Sequence, residues 1–330
     1  MFAALTRSLA PIVLVNTVGT GCVIRIISGH DRPGRWKART MGRIPFSFEV
    51  YPPRTPEGSE TLYAAIDELA KAGPDFISVT YGASGSTRDR SLAVLRHLVE
   101  RADVATMAHL TCVGTTTAEA VKRVREIVDI GVTSFLAVRG DPPPGVGEDE
   151  IFLGELCNAT DLLRLITREG EKHAAGLDVA VAAFPNGHPR SASQREEIET
   201  LLGKQRAGAQ LALTQLLFDA NDYARFVDEA RAAGITIPIR PGIMPVLSRA
   251  RLGRMLEISG ERLPERLAAD LEGARDSAEA ESIGIEACIA LASDLLAAGA
   301  PGIHLYAFNQ AAAPLAVLEG LGLGARSSAA

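Results

Sequence analysis

From Arg43 onward, short apolar runs alternate with amphipathic stretches along the chain. The first run, about 45–50, reads as a strand. It stops at Pro52-Pro53, because proline has no N–H to give to a ladder. Behind it, Leu62, Ala65, Ile66, Leu69 and Ala70 recur at helical spacing and predict a helix over about 57–72. The alternation then repeats. Strands are expected at 76–80, 106–110, 134–138, 179–184, 212–218, 237–239 and 302–307. Helices are expected at 88–101, 117–130, 158–170, 194–207, 220–233, 248–258, 264–271, 276–298 and 310–321, with Gly208 and Gly234 as stops. The run at 237–239 is expected to break at Pro241-Gly242.

Eight strand-then-helix units without a composition break predict the α/β class, as a closed parallel (β/α)8 TIM barrel with outer helices over residues 41–323. A doubly wound sheet would carry a glycine-rich GxGxxG turn after its first strand, where this chain has Glu49-Val50-Tyr51-Pro52-Pro53. Residues 1–40 differ from the body. Their apolar run, 10–23, is too short and too broken to span a bilayer, and no clean small-residue cleavage site follows it. They read as a poorly structured, irregular extension. Met41 stands just before the first good strand and is an alternative start, the upstream segment then being an artefact of start assignment. The tail, 324–330, is small and polar and is expected to fray.

Composition narrows the function. A hydrophobic content of 47% with 22% charged residues is ordinary for a globular enzyme. The net charge of −6 argues against a general nucleic-acid or anionic-membrane surface, though not against a local basic pocket. Four cysteines lie far apart with no CxxC, which fits a reducing cytoplasm, and six histidines show no HExxH spacing, so no protein-bound catalytic metal is expected.

Barrels of this kind build their sites at the C-terminal ends of the strands. Those ends carry Glu49, Thr80, His109, Arg139 with Asp141, Phe184 with His188, Gln215 with Asp219, and Asn309. Each alone has a plain reading. Glu49 could be a surface carboxylate, His109 a satisfied strand-end histidine, Arg139 and Asp141 a local ion pair. Lys204 would ordinarily face solvent, and the loop 81–87, rich in Gly and Ser, could be a flexible connection or a phosphate cradle.

The motifs taken together resemble the bacterial, single-domain 5,10-methylenetetrahydrofolate reductases. They are Ser47-Phe48-Glu49 with Pro52-Pro53-Arg54-Thr55, Ser78-Val79-Thr80-Tyr81-Gly82-Ala83, His109-Leu110-Thr111-Cys112, and Ala137-Val138-Arg139-Gly140-Asp141-Pro142-Pro143. Phe184-Pro185 with His188-Pro189, Thr214-Gln215 with Phe218-Asp219, and Pro241-Gly242-Ile243-Met244-Pro245 complete the set, which covers about 44–323. The resemblance implies an FAD-containing barrel of one-carbon metabolism serving methionine synthesis, in which NADH or NADPH reduces the flavin and methylenetetrahydrofolate then takes the hydride. It implies Glu49 as catalytic acid, with a pKa raised by the mouth of the barrel so that it holds a proton near neutrality. Asp141 is implied as the acidic residue beside flavin and pterin. Thr80, His109, Arg139, Phe184, Glu197 and Lys204 are implied as flavin contacts, and Gln215 and Gln310 as substrate contacts. A homo-oligomer is compatible with it; no nucleic acid or membrane partner is implied.

The chain also departs from the family pattern. Phe184 stands where many members have Tyr, Glu197 where some have Asp, and Gln310 where Arg is usual. Arg251 and Met255 occupy positions of Gln and Phe in some bacterial members. Flavin-independent reduction of the same folate is therefore kept as an alternative. A different barrel chemistry, such as a Schiff-base aldolase, would need a strand-end lysine, and none is found. A barrel that only binds flavin or folate would be favoured by loss of Glu49 or Asp141, and both are present.

Overall fold

The computed structural model describes residues 13–18, 21–26, 43–53, 55–80, 85–102, 104–140, 154–173, 176–188, 191 and 193–323. Its elements run β1 Val13–Val18, β2 Gly21–Ile26, β3 Phe46–Val50, α1 Pro56–Lys71, β4 Ile77–Val79, α2 Gly85–Arg101 and β5 Thr106–Thr111. They continue through α3 Thr117–Asp129, β6 Ser134–Val138, α4 Ala159–Glu171, β7 Asp178–Ala183, α5 Gln194–Arg206, β8 Leu211–Leu216, α6 Ala220–Ala232 and β9 Ile239–Ile243. Last come α7 Arg249–Ser259, α8 Glu265–Glu272, α9 Ser277–Ala297, β10 Ile303–Tyr306 and α10 Ala312–Gly320.

Eight strands close a barrel in the order β10-β3-β4-β5-β6-β7-β8-β9, and every neighbouring pair is parallel. The barrel predicted from the alternation is therefore present. Within the first forty residues, where a loose extension is expected, β1 and β2 pair as an antiparallel ribbon forming a sheet of its own. The tail lies outside the described residues.

Helix starts follow local chemistry. Thr116 and Glu119 form a reciprocal capping box at α3, Asn158 caps α4 through Thr160 and Asp161, and Ser193 caps α5. One strand differs from expectation. The predicted break at Pro241-Gly242 is not a break, because β9 runs through both residues. Pro241 sits where the β8–β9 register shifts between Leu213 and Leu216, so its missing N–H leaves no ladder bond unmade.

The period of two along each strand divides the barrel wall. On β3, Phe46, Phe48 and Val50 join the core between barrel and helices, together with Leu62, Ile66 and Leu69 of α1. Burying each such side chain contributes roughly 1.5–3 kcal/mol. Ser47 and Glu49 therefore face the barrel interior. Part of that interior is apolar, filled by Phe76, Met107, Leu136, Ala180, Leu211 and Leu213. The part under β3, β9 and β10 is polar, and it leads to the site.

Candidate active site

Glu49 lies at the C-terminal end of β3, beside Tyr306 of β10 in the parallel register, and Ser47 lies beside His304. Three neighbours converge on one oxygen of its carboxylate. His304 Nε2 is 3.3 Å from Glu49 Oε2, His109 Nε2 is 3.4 Å away, and Ser78 Oγ is 3.5 Å away. Burial lifts the Glu49 pKa, while His109, His304 and Ser78 pull it down, and the net direction is downward. The raised pKa expected from the sequence is thus corrected: the contacts with His109, His304 and Ser78 together outweigh desolvation. Burial also depresses His109 below the usual histidine value, although Glu49 opposes this.

Beneath Glu49 the polar contacts continue. His304 Nδ1 is 2.8 Å from Ser47 Oγ, Arg240 Nη1 donates to the same hydroxyl at 3.0 Å, and Arg240 Nη2 donates to Asp75 Oδ2 at 2.9 Å. His304 is fully buried, stacked on Phe76 at 5.9 Å and edge-on to Tyr306 at 5.4 Å. The sequence reading did not single out His304, Tyr306, Arg240 or Asp75. The available signal was polar residues at 304 and 306 alternating with Ile303 and Leu305, which places both on the interior face.

Above the barrel opens a cleft of about 1080 Å³. Glu49, His109, Arg139, Phe184, Glu197, Lys204 and Gln215 all line it. Thr80 and Gln310 are not in that lining. Thr80 N–H donates to Val50 O at 3.0 Å, and Gln310 is exposed with its N–H on Ala307 O at 2.9 Å. Asp141 and the loop residues 81–84 lie outside the described residues. Arg251 stacks over Phe308 at 5.6 Å, and Met255 packs into the apolar cluster around Met244 and Leu252.

Lys204 corrects its plain reading as a solvent-facing residue. It is buried, its Nζ donates to Ala182 O at 2.8 Å, and burial pushes its pKa down to about 8, partly opposed by Glu197. Glu197, one element with it on α5, accepts from the His188 N–H at 3.2 Å and from the Ser191 hydroxyl. Its carboxylate thus ties down the loop that carries His188, whose ring meets Phe184 edge-on at 4.7 Å. Gln215 Oε1 accepts from Leu216 N–H at 2.8 Å, which orients the amide at the cleft wall. Among the described residues no cluster of His, Cys, Asp or Glu could hold a metal ion, and no helix is long and apolar enough to cross a membrane.

The sequence model of the family Methylenetetrahydrofolate reductase matches residues 36–322. The chain belongs to this family. It is 34% identical over 297 residues to the 5,10-methylenetetrahydrofolate reductase of Escherichia coli, covering 90% of this chain and 97% of that protein. It is also 34% identical over 297 residues to the probable methylenetetrahydrofolate reductase (NADH) of Oryza sativa, covering 87% of this chain and 50% of that one. Among solved structures, a Clostridium thermocellum protein described as binding two copies of 5-methyl-5,6,7,8-tetrahydrofolic acid superposes with a TM-score of 0.59. At 16% identity, over 84% of this chain and 93% of that one, it shares the fold. Family membership fits a cleft with an acid at its floor and cations on its wall.

Proposed function

We propose that this cleft reduces 5,10-methylenetetrahydrofolate to 5-methyltetrahydrofolate in the cytoplasm, with FAD as cofactor and NADH or NADPH as electron donor. Membership of the family carries the reading. The placement of Glu49 between two histidines at the floor of the cleft supports the assignment of the acid.

Three features of the cleft fit FAD. Lys204 and Arg139 bring positive charge for a pyrophosphate. Thr111 Oγ1, on the same wall, is buried with no hydrogen-bond partner among the described residues. Gly140, at φ +90°, leaves a close approach that a Cβ would close, since that atom would lie 2.9 Å from Thr111 Cβ. Bound there, FAD would supply the hydride.

The chain's own residues do the rest. The five-membered ring of the folate must open before hydride adds, and opening needs a proton on the leaving nitrogen. Glu49 gives it. A ring system laid over Glu49 would displace the solvent that still reaches its side chain, and desolvation is the contribution that favours the protonated form. Gln215 offers one amide to both alternating ligands, because an amide both donates and accepts. Asp141 enters by its place in the motif alone, as a pterin contact.

The test is product analysis. The protein is supplied with FAD, NADH or NADPH, and methylenetetrahydrofolate without air, and 5-methyltetrahydrofolate is measured by mass. Stoichiometric product supports the proposal; nicotinamide oxidation without methyl product sinks it.

A further inference from the structure

We propose that His304 is the positioning residue for the acid at Glu49: held in its Nε2–H form by Ser47 and Arg240, it keeps Oε2 as an acceptor and leaves Oε1 to carry the proton given to substrate. The inference rests on the reductase reading above and deepens it.

The donors and lone pairs around Ser47 Oγ fix the tautomer of His304. Arg240 always donates, and its Nη1 takes one acceptor position of Ser47 Oγ at 3.0 Å. The hydroxyl proton of Ser47 then has His304 Nδ1, at 2.8 Å, as its acceptor. With Nδ1 accepting, the ring carries its proton on Nε2, which lies 3.3 Å from Glu49 Oε2. The opposite tautomer would put two donors on Ser47 and strand its own hydroxyl proton. It would also set the Nε2 lone pair against a carboxylate oxygen.

Arg240 is itself fixed. Its Nη2 is 2.9 Å from Asp75 Oδ2 and its guanidinium lies over the Phe76 ring at 5.4 Å. Asp75 is fully buried and also receives Arg43 Nη2 at 3.3 Å. The chain of contacts therefore runs from Arg43 and Asp75 at the N-terminal end of the barrel to Glu49 at its mouth. The groups facing the Glu49–His304 pair are His109 from β5, Ser78 from β4 and Tyr306 from β10, with Arg240 from β9 behind Ser47. Every hydrogen bond or ion pair to the carboxylate among the described residues goes to Oε2.

The consequence is directional. A proton taken up by Glu49 lands on Oε1, since Oε2 already accepts. When that proton passes to the leaving nitrogen, Oε2 still holds the His304 N–H, so the imidazole neither gains nor loses a proton in the step. His304 thus fixes which oxygen works without touching substrate itself.

The test uses the full chain with 15N-labelled histidine. Long-range proton–nitrogen spectra are recorded between about pH 6 and 8, the range in which a free imidazole titrates. His304 is assigned by the signal missing in His304→Gln. The expected result is an unprotonated Nδ1 and a protonated Nε2 in the wild type, moving to mixed tautomers in Ser47→Ala. In parallel, folate reduction by Ser47→Ala should fall roughly tenfold with a displaced pH profile, the order of one lost hydrogen bond acting on the barrier. His304→Gln, whose amide still donates to Oε2, should recover most of the rate lost in His304→Leu. A protonated Nδ1 in the wild type, or a Ser47→Ala protein with unchanged nitrogen signals and pH profile, overturns the inference. The nitrogen signals read the tautomer whether or not folate is turned over, so failure here and failure of the reductase reading are told apart.

Discussion

Arg240 and Asp75 meet inside the barrel with Nη2 and Oδ2 2.9 Å apart, both side chains almost wholly out of solvent. Removing one partner of such a pair leaves a charge in a medium that cannot solvate it, at a cost of about 3–5 kcal/mol. Asp75→Ala is expected to lose that much in urea unfolding, because Arg240 then keeps Ser47 alone. Arg43→Ala should cost about 1 kcal/mol or less, since Arg43 is partly exposed and Asp75 keeps Arg240. Equal losses in the two variants would contradict this ranking.

Glu49→Gln keeps the shape of the side chain and removes the transferable proton. Reduction of flavin by nicotinamide should persist, while methylenetetrahydrofolate reduction should drop by about 10²–10⁴, the usual worth of a positioned acid. Rapid-mixing kinetics of the two half-reactions separate them. Undiminished folate turnover would remove Glu49 from the acid role.

Lys204 gives a pH prediction. Its folded pKa is lowered to about 8, so the charged form dominates below that pH and the neutral form above. An anionic ligand binds the charged form, so FAD affinity should hold up to about pH 8 and then weaken, approaching tenfold per unit well above it. In Lys204→Met the affinity should be lower and flat over the same range. Fluorescence quenching of FAD measures both; identical profiles would refute the assignment.

Asn309 joins two strand mouths. Its Oδ1 accepts from Tyr51 N–H at 3.0 Å and its Nδ2 donates to Tyr51 O at 2.9 Å, from a backbone at φ +58°. Asparagine tolerates that left-handed conformation better than most residues. Asn309→Ala should destabilise by about 1–3 kcal/mol, losing two hydrogen bonds and gaining strain. Asn309→Gly should cost less, because it loses the bonds and not the conformation. Thermal unfolding of the pair checks the order.

The barrel was legible because each strand is a short apolar run closed by Pro, Gly or a polar mouth. Apolar residues at helical spacing, with stops such as Gly208 and Gly234, then mark the helices. Glu49, His109, Arg139 and Gln215 were legible as strand ends, and the cleft brings them together. Lys204 was reached through the family resemblance alone, because helical position does not reveal that α5 turns that side chain into the cleft wall. His304 was hidden for another reason. Its partners Ser47 and Glu49 are 257 and 255 residues away in sequence, and the closure of β10 on β3 creates both contacts. The downward pKa of Glu49 follows from the same closure, and no local motif announces it.

The most direct measurement is the visible spectrum of the purified protein, first as isolated and with added FAD, then with NADH or NADPH without air, then with methylenetetrahydrofolate. The expected result is a flavin band that bleaches with nicotinamide and returns when the folate is added, with 5-methyltetrahydrofolate formed in equal amount. A protein that stays colourless with FAD, or a bleached band that folate does not restore, would contradict it.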